Sequence, residues 1–363
     1  MGIVPIGYCW FMKRIISAVS ACALMAVVVQ GAIWDKSPPS GILALSGGEH
    51  VTFVDPRGEV FARHETGPVG WLFPAPGGAL FAPDVVNGRT TAFDLRGGVK
   101  VTRLAGVTMP HFGALRDRYA AVVGDKVMMV SYPNRAPIAH VEAEIGNPWQ
   151  VEISVDGSVI LVLDRWPDGS GDVHLLAVDL VHRRVIYRRA LPEGVTRMAS
   201  LSELGLLAMT SPDAQMVQLI DPRTTAPVLV LQPAGRPMDV AGAGKNKVLL
   251  GAVDTGNGEG SLYLWKLKTS KKGVKVKKEV VVPLGASPRV VAVDPSGMWA
   301  AVAMASPKVA VVDLSEGELV HTIEIPDIPR DLAWCDPTAP GAPIARWTDG
   351  TGRPEDLSKP EKE

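Results

Sequence analysis

A ring of β-sheets is the fold this sequence predicts, and three observations predict it. One short alternating segment recurs seven times. The recurrences are spaced as four strands and their turns require. The two ends of the repeat region are complementary parts of one sheet. The expected class is all-β: a seven-bladed β-propeller of four-stranded antiparallel blades, closed by a C-terminal strand that completes blade 1.

The recurring segment alternates apolar side chains and ends in a polar residue, usually Asp, followed by Pro or Leu. It occurs as Thr52-Phe53-Val54-Asp55-Pro56, Thr91-Ala92-Phe93-Asp94-Leu95 and Leu176-Ala177-Val178-Asp179-Leu180. Two more copies are Gln218-Leu219-Ile220-Asp221-Pro222 and Ala310-Val311-Val312-Asp313-Leu314, with degenerate copies at Met129–Tyr132 and Leu264–Leu267. Marker positions 55, 94, 131, 179, 221, 266 and 313 lie 37 to 48 residues apart, with no helical pattern between them. Each marker Asp is read as a turn former that bonds the backbone of its own turn.

The last full unit shows the order most clearly. Arg289–Asp294 is strand A, Trp299–Met304 strand B, Lys308–Asp313 strand C and Leu319–Ile325 strand D. Pro295-Ser296-Gly297 and Ser315-Glu316-Gly317 supply the turn dihedrals. At the other end, Ile42–Ser46, the first marker strand and Glu59–His64 make only three strands. The segment from Ile328 to Pro337 matches strand A, so it supplies the innermost strand of blade 1 and leaves no open edge there. The propeller is expected over 41–337, and 338–363, rich in Pro, Gly and charge, is expected to be a disordered tail.

Before the repeats, Met12-Lys13-Arg14 precedes the uncharged run Ile15–Val29. A basic end followed by an apolar run is how an export signal reads, so 1–34 is expected to be a signal peptide or N-terminal membrane anchor. Gly31-Ala32 offers small residues for cleavage; an uncleaved anchor, or a lipoprotein read from Val19-Ser20-Ala21-Cys22, are the alternatives. The expected location is extracytoplasmic, periplasmic or secreted. Without that segment Cys335 is the only cysteine left, so packing must hold the fold rather than a disulfide.

Lys+Arg is 37 and Asp+Glu 38, a formal charge of −1, and −3 without residues 1–34. That balance argues against a nucleic-acid binder. The sequence contains no HExxH, CxxCH, GxSxG or GxxxxGK[ST]. No catalytic residue, metal site or cofactor is assigned.

Pro288–Gly297 followed by Lys308–Asp313 resembles the YVTN-type propeller repeat, in a superfamily related to WD repeats. The resemblance spans roughly residues 41–337 and implies the fold. That superfamily includes propeller subunits of quinoprotein amine dehydrogenases and bacterial lactonases, which sets the alternative function: an enzyme or enzyme subunit of one of those types. The YVTN tetrapeptide itself is missing, and no family catalytic residue maps onto this chain.

In a propeller the D-to-A and B-to-C loops share one face around a central channel. The residue after the usual Pro of strand A is Val69, His111, Trp149, Arg197, Met238, Arg289 and Arg330 in turn, Arg197 following Thr196 instead. Guanidinium forks suit carboxylate or phosphate, and an aromatic offers a flat apolar contact. The expected ligand-binding residues are therefore His111, Trp149, Arg197, Arg289 and Arg330, with Asp239 and Asp331 beside them. The competing reading has these arginines pair with Asp239 and Asp331 and merely tie blades together. The expected function is an extracytoplasmic platform for a small anionic ligand or an acidic protein partner, as a monomer or a subunit of an envelope complex, with the membrane touched only by the N-terminal segment.

Two further features need a reading. Asp164–Asp172 and Asp254–Gly260 read as long acidic B-to-C loops, flexible hairpins or, alternatively, calcium loops. Lys266, Lys268, Lys271, Lys272, Lys275, Lys277 and Lys278 fall on the outer hairpin of blade 6. They read as protection of an exposed edge strand, or alternatively as an attractor of an anionic surface.

Overall fold

The structure, a computed structural model, describes residues 39–338 except 85, 88, 106–117, 132–136, 155–156, 166–171, 192–193, 244–246 and 272. Among these residues the chain forms seven antiparallel sheets, six with four strands and one with three. The three-stranded sheet is blade 3, Arg118–Val123, Lys126–Ser131 and Pro137–Glu142; the place of its strand A falls on 106–117, outside the described residues. No described helix is long and apolar enough to cross a membrane, and the N-terminal segment lies outside the described residues.

The seven-bladed ring is closed as the sequence predicts. Asp331–Cys335 pairs antiparallel with Ile42–Gly47, in the register Ile42↔Cys335 to Ser46↔Asp331. Leu332, Ala333, Trp334 and Cys335 are all buried by this pairing. Ser40 adds a second tie, donating its hydroxyl to Asp294 Oδ2 of blade 7 at 3.2 Å. Strand A of each described blade packs against strand A of the next: Asn147–Ile153, Arg197–Leu201, Arg236–Ala243, Pro288–Val293, Asp331–Cys335 and Phe73–Ala75. These inner strands line the channel.

Middle strands are buried on both faces and outer strands are largely exposed, as Trp299–Met304 and Val60–Glu65 show. The core therefore lies between blades. Phe53 of blade 1 meets Phe93 of blade 2 edge-on, with ring centroids 5.1 Å apart. Trp265 lies over Gly251 so closely that an added Cβ would sit 2.6 Å from the indole. Its Nε1 donates to Glu279 Oε2 at 2.6 Å.

The marker aspartates act as turn formers. Asp55 Oδ1 accepts the amides of Arg57 and Glu59, each at 2.9 Å. Asp313 Oδ1 accepts those of Ser315 and Glu316, and Asp221 Oδ1 that of Arg223.

Two expectations change. The stretch Asp254–Gly260 is not a long loop, because its strands continue to Gly256 and from Glu259. Only Asn257 and Gly258 turn, at φ 56° and 79°, the positive pair a tight type I′ hairpin needs. In blade 4, Asp164 belongs to strand Val159–Arg165 and is fully buried. It accepts the Gly146 amide at 3.0 Å and pairs with Arg188 at 3.1 Å, which accounts for its charge. Residues 166–171 lie outside the described residues. Among the described residues, no group of three or more His, Cys, Asp or Glu is placed to hold a metal ion.

Candidate functional site

Three of the aligned residues sit at a local irregularity beside a proline. The strand A register slips by one residue between Pro148 and Gln150, between Pro237 and Asp239, and between Pro288 and Val290. The residue left unpaired is Trp149, Met238 or Arg289. Proline has no N–H for the ladder and is tolerated at a bulge, and a bulge re-aims its extra side chain. Blade 5 has Thr196 in place of Pro, and there Arg197 stays in regular register opposite Thr210.

Four of the aligned residues share one cavity of about 500 Å³. Arg197, Met238, Arg289 and Arg330 line it, together with Arg236, Thr196, Val290, Pro212 and Asp213. Pro212 and Asp213 belong to the B-to-C turn of blade 5, so both loop types do share this face. Arg236 pairs with Asp213 at 2.8 Å. Arg289 and Arg330 are exposed and have no ion-pair partner among the described residues.

Below the mouth lies the channel, a cavity of about 410 Å³. Trp71, Trp149, Trp334, Gln150, Glu152, Arg197, Asp239 and Asp331 are among its lining residues. Trp149 is half-buried, donates its Nε1–H to the Thr196 carbonyl at 3.1 Å, and has the Arg165 guanidinium 5.7 Å from its ring centroid.

Three inner-strand side chains in the channel wall each tie their own blade to the next. Asp239 Oδ2 accepts the Val291 amide at 2.9 Å. Asp331 Oδ2 accepts the Leu72 amide at 2.6 Å. Gln150 does the same with a neutral amide, accepting from Met198 N at 2.9 Å and donating to its carbonyl. Burial raises Asp239 to about 6 and Asp331 to about 7, with the Arg197 guanidinium acting against burial in both. Arg197 Nε stands 3.9 Å from Asp239 Oδ1. The tie-the-blades reading thus describes the aspartates and Arg197, but not Arg289 or Arg330.

Of the predicted site residues, Arg197, Arg289 and Arg330 converge at the mouth, while Trp149, Asp239 and Asp331 line the channel beneath it. His111 lies outside the described residues. Val69 is buried in the core between blades 1 and 2; Leu72, three residues on, makes the contact in blade 2 that Val291 makes in blade 7. Sequence reasoning missed Arg236, which precedes the aligned Pro237. It also missed Glu152, which alternates with the core residues Val151 and Ile153 and shares a strand face with Gln150. That period-two polar face of an inner strand was the available signal.

Fold and site together define a seven-bladed propeller with a charged mouth over a central channel. No protein-family model matches the chain, and no curated protein matches it. Among solved structures it is similar to apo AztD from Citrobacter koseri, at 17% identity over 81% of this chain and 83% of that one, with a TM-score of 0.52. It is also similar to the WD40 domain of Toxoplasma gondii coronin, at 14% identity over 82% of this chain and 75% of that one, with a TM-score of 0.55. At these identities the likeness is one of fold.

Proposed function

We propose that this chain is an extracytoplasmic binding platform whose propeller recognises an anionic group, on a small ligand or an acidic segment of a partner protein, at the channel mouth. One observation carries the reading: Arg197, Arg236, Arg289 and Arg330 face one cavity in which Asp213 is the single acid among the described lining residues. Arg289 and Arg330 are the residues available to a ligand, since both are exposed and neither has an ion-pair partner among the described residues. Two planar forks side by side suit a carboxylate or phosphate. The extracytoplasmic location rests on Met12-Lys13-Arg14 and the apolar run after it.

The test is titration of the protein and of the double variant R289A/R330A with phosphate, citrate and an acidic peptide. Each charge-assisted hydrogen bond contributes about 1.5–3 kcal/mol, so losing both arginines should weaken binding by at least about ten-fold. Binding that is unchanged in a folded double variant overturns the proposal. Cell fractionation with N-terminal sequencing tests the location, and a cytoplasmic chain that retains residues 1–34 refutes it.

A further inference from the structure

We propose that the ligand of the arginine mouth also carries a positively charged amine, and that the channel beneath receives it. The inference deepens the anion reading of the mouth and rests on it.

The two cavities adjoin, since Arg197 and Val290 line both. Their charges are opposite in sense. Among the described residues, the charged groups lining the channel are Glu152, Asp239 and Asp331 with Arg197. Asp239 and Asp331 are only 6% and 8% exposed, so water screens them poorly, and they share the one Arg197 guanidinium.

Tying the inner strands together does not require these charges. Gln150 makes the equivalent tie with a neutral side chain. The carboxylates at 239 and 331 therefore bring a negative charge that the fold does not need and that burial opposes. Once these carboxylates ionise, a cation entering the channel offsets their charge.

The walls suit the same group. Trp71, Trp149 and Trp334 line the channel, and an indole face attracts an ammonium. Trp334 is 7% exposed, and among the described residues its Nε1–H has no hydrogen-bond partner. A volume of about 410 Å³ lies within the range of small-molecule sites. The class that fits both levels is an amino-acid-like zwitterion with separated charges: carboxylate or phosphate on Arg289 and Arg330, and a primary amine between Asp239 and Asp331.

Calorimetric titration of the full chain with unbranched ω-amino acids of rising length, from β-alanine to aminooctanoate, tests this. Each is compared with the amine-free carboxylate of the same length. At least one length should bind about ten-fold or more tighter than its matching carboxylate. D239N and D331N should lose that gain while keeping the affinity for the plain carboxylate, which also reports that they fold. If plain carboxylates bind through Arg289 and Arg330 but no length gains from its amine, the channel inference falls and the mouth reading stands. A gain that survives in both variants likewise overturns the channel assignment. If neither series binds, the mouth reading falls and takes the inference with it. The length series in the unaltered protein decides the matter even if a variant fails to fold.

Discussion

Replacing Asp331 with Asn should make the protein more stable at pH 8 and flatten its dependence on pH. Asp331 has an ordinary value of 3.8 and is raised to about 7 by burial in the channel wall, with Asp239 adding repulsion and Arg197 opposing both. The folded chain therefore holds a proton that the unfolded chain releases. The stability from that proton is complete below pH 4 and is lost as pH rises through about 7. Between pH 5 and pH 7 the unfolded chain has already ionised while the folded one has not. Two pH units at about 1.4 kcal/mol each make about 3 kcal/mol. Unfolding entropy of about 2.1 cal/mol/K per residue over roughly 300 residues converts this to about 5 °C in Tm. An amide at 331 retains an oxygen for the Leu72 amide and removes the charge. His64 works in the opposite direction, because burial lowers its value and it must be protonated as pH falls. The quantity to measure is therefore the difference between D331N and the unaltered protein, in which His64 and other shared groups cancel. Thermal melts from pH 5 to pH 8 should show that difference growing in favour of D331N by about 5 °C. Parallel curves, or a variant less stable at every pH, would refute an uncompensated buried charge at this position.

Three other perturbations follow from the packing. Gly251→Ala should destabilise by about 1–3 kcal/mol, because the new methyl meets the buried ring of Trp265; a denaturant midpoint equal to that of the unaltered protein contradicts the close approach. Lys278→Glu should stabilise by a few tenths of a kcal/mol to about 1 kcal/mol, because Lys278 stands directly opposite Lys266 across the outer hairpin of blade 6; chemical unfolding reads the sign. In a chain carrying Cys9→Ser and Cys22→Ser, Cys335 should resist thiol reagents under native conditions, since it is buried and its thiol is raised to about 12; rapid labelling in the absence of denaturant would mean the closing strand is not seated.

The sequence was most legible where period-two alternation and turn residues agree. In blade 7 the expected strands lie within one residue of those found, because Pro295-Ser296-Gly297 and Ser315-Glu316-Gly317 bound segments whose middle strands are buried on both faces. Closure was legible because Asp331–Cys335 has the pattern of an inner strand and no other partner in its own neighbourhood. Composition misled where it competes with pairing. Asp254–Gly260 is polar and glycine-rich, yet Asn257-Gly258 turns so tightly that the flanking residues remain in the ladder. At the mouth, counting from proline worked wherever the proline sits at a bulge. It failed for Val69, where the chain reaches the channel wall three residues later, and a slip in register leaves no mark in composition. Arg236 escaped because one aligned position per blade cannot show two side chains from the same loop.

Closure by the final strand also sets an order of events. Blade 1 holds three of its strands from the first residues of the repeat region, but the fourth comes from 331–335, so the protein cannot be completed until almost the whole chain has left the ribosome. Until then the edge at Ile42–Gly47 has backbone groups waiting for a strand nearly three hundred positions away, and such distant pairing is slow. A nascent chain with an unfinished first sheet remains threadable for longer than one that folds from its beginning. The same late latch gives proteases and sticky neighbours a seam at which to attack.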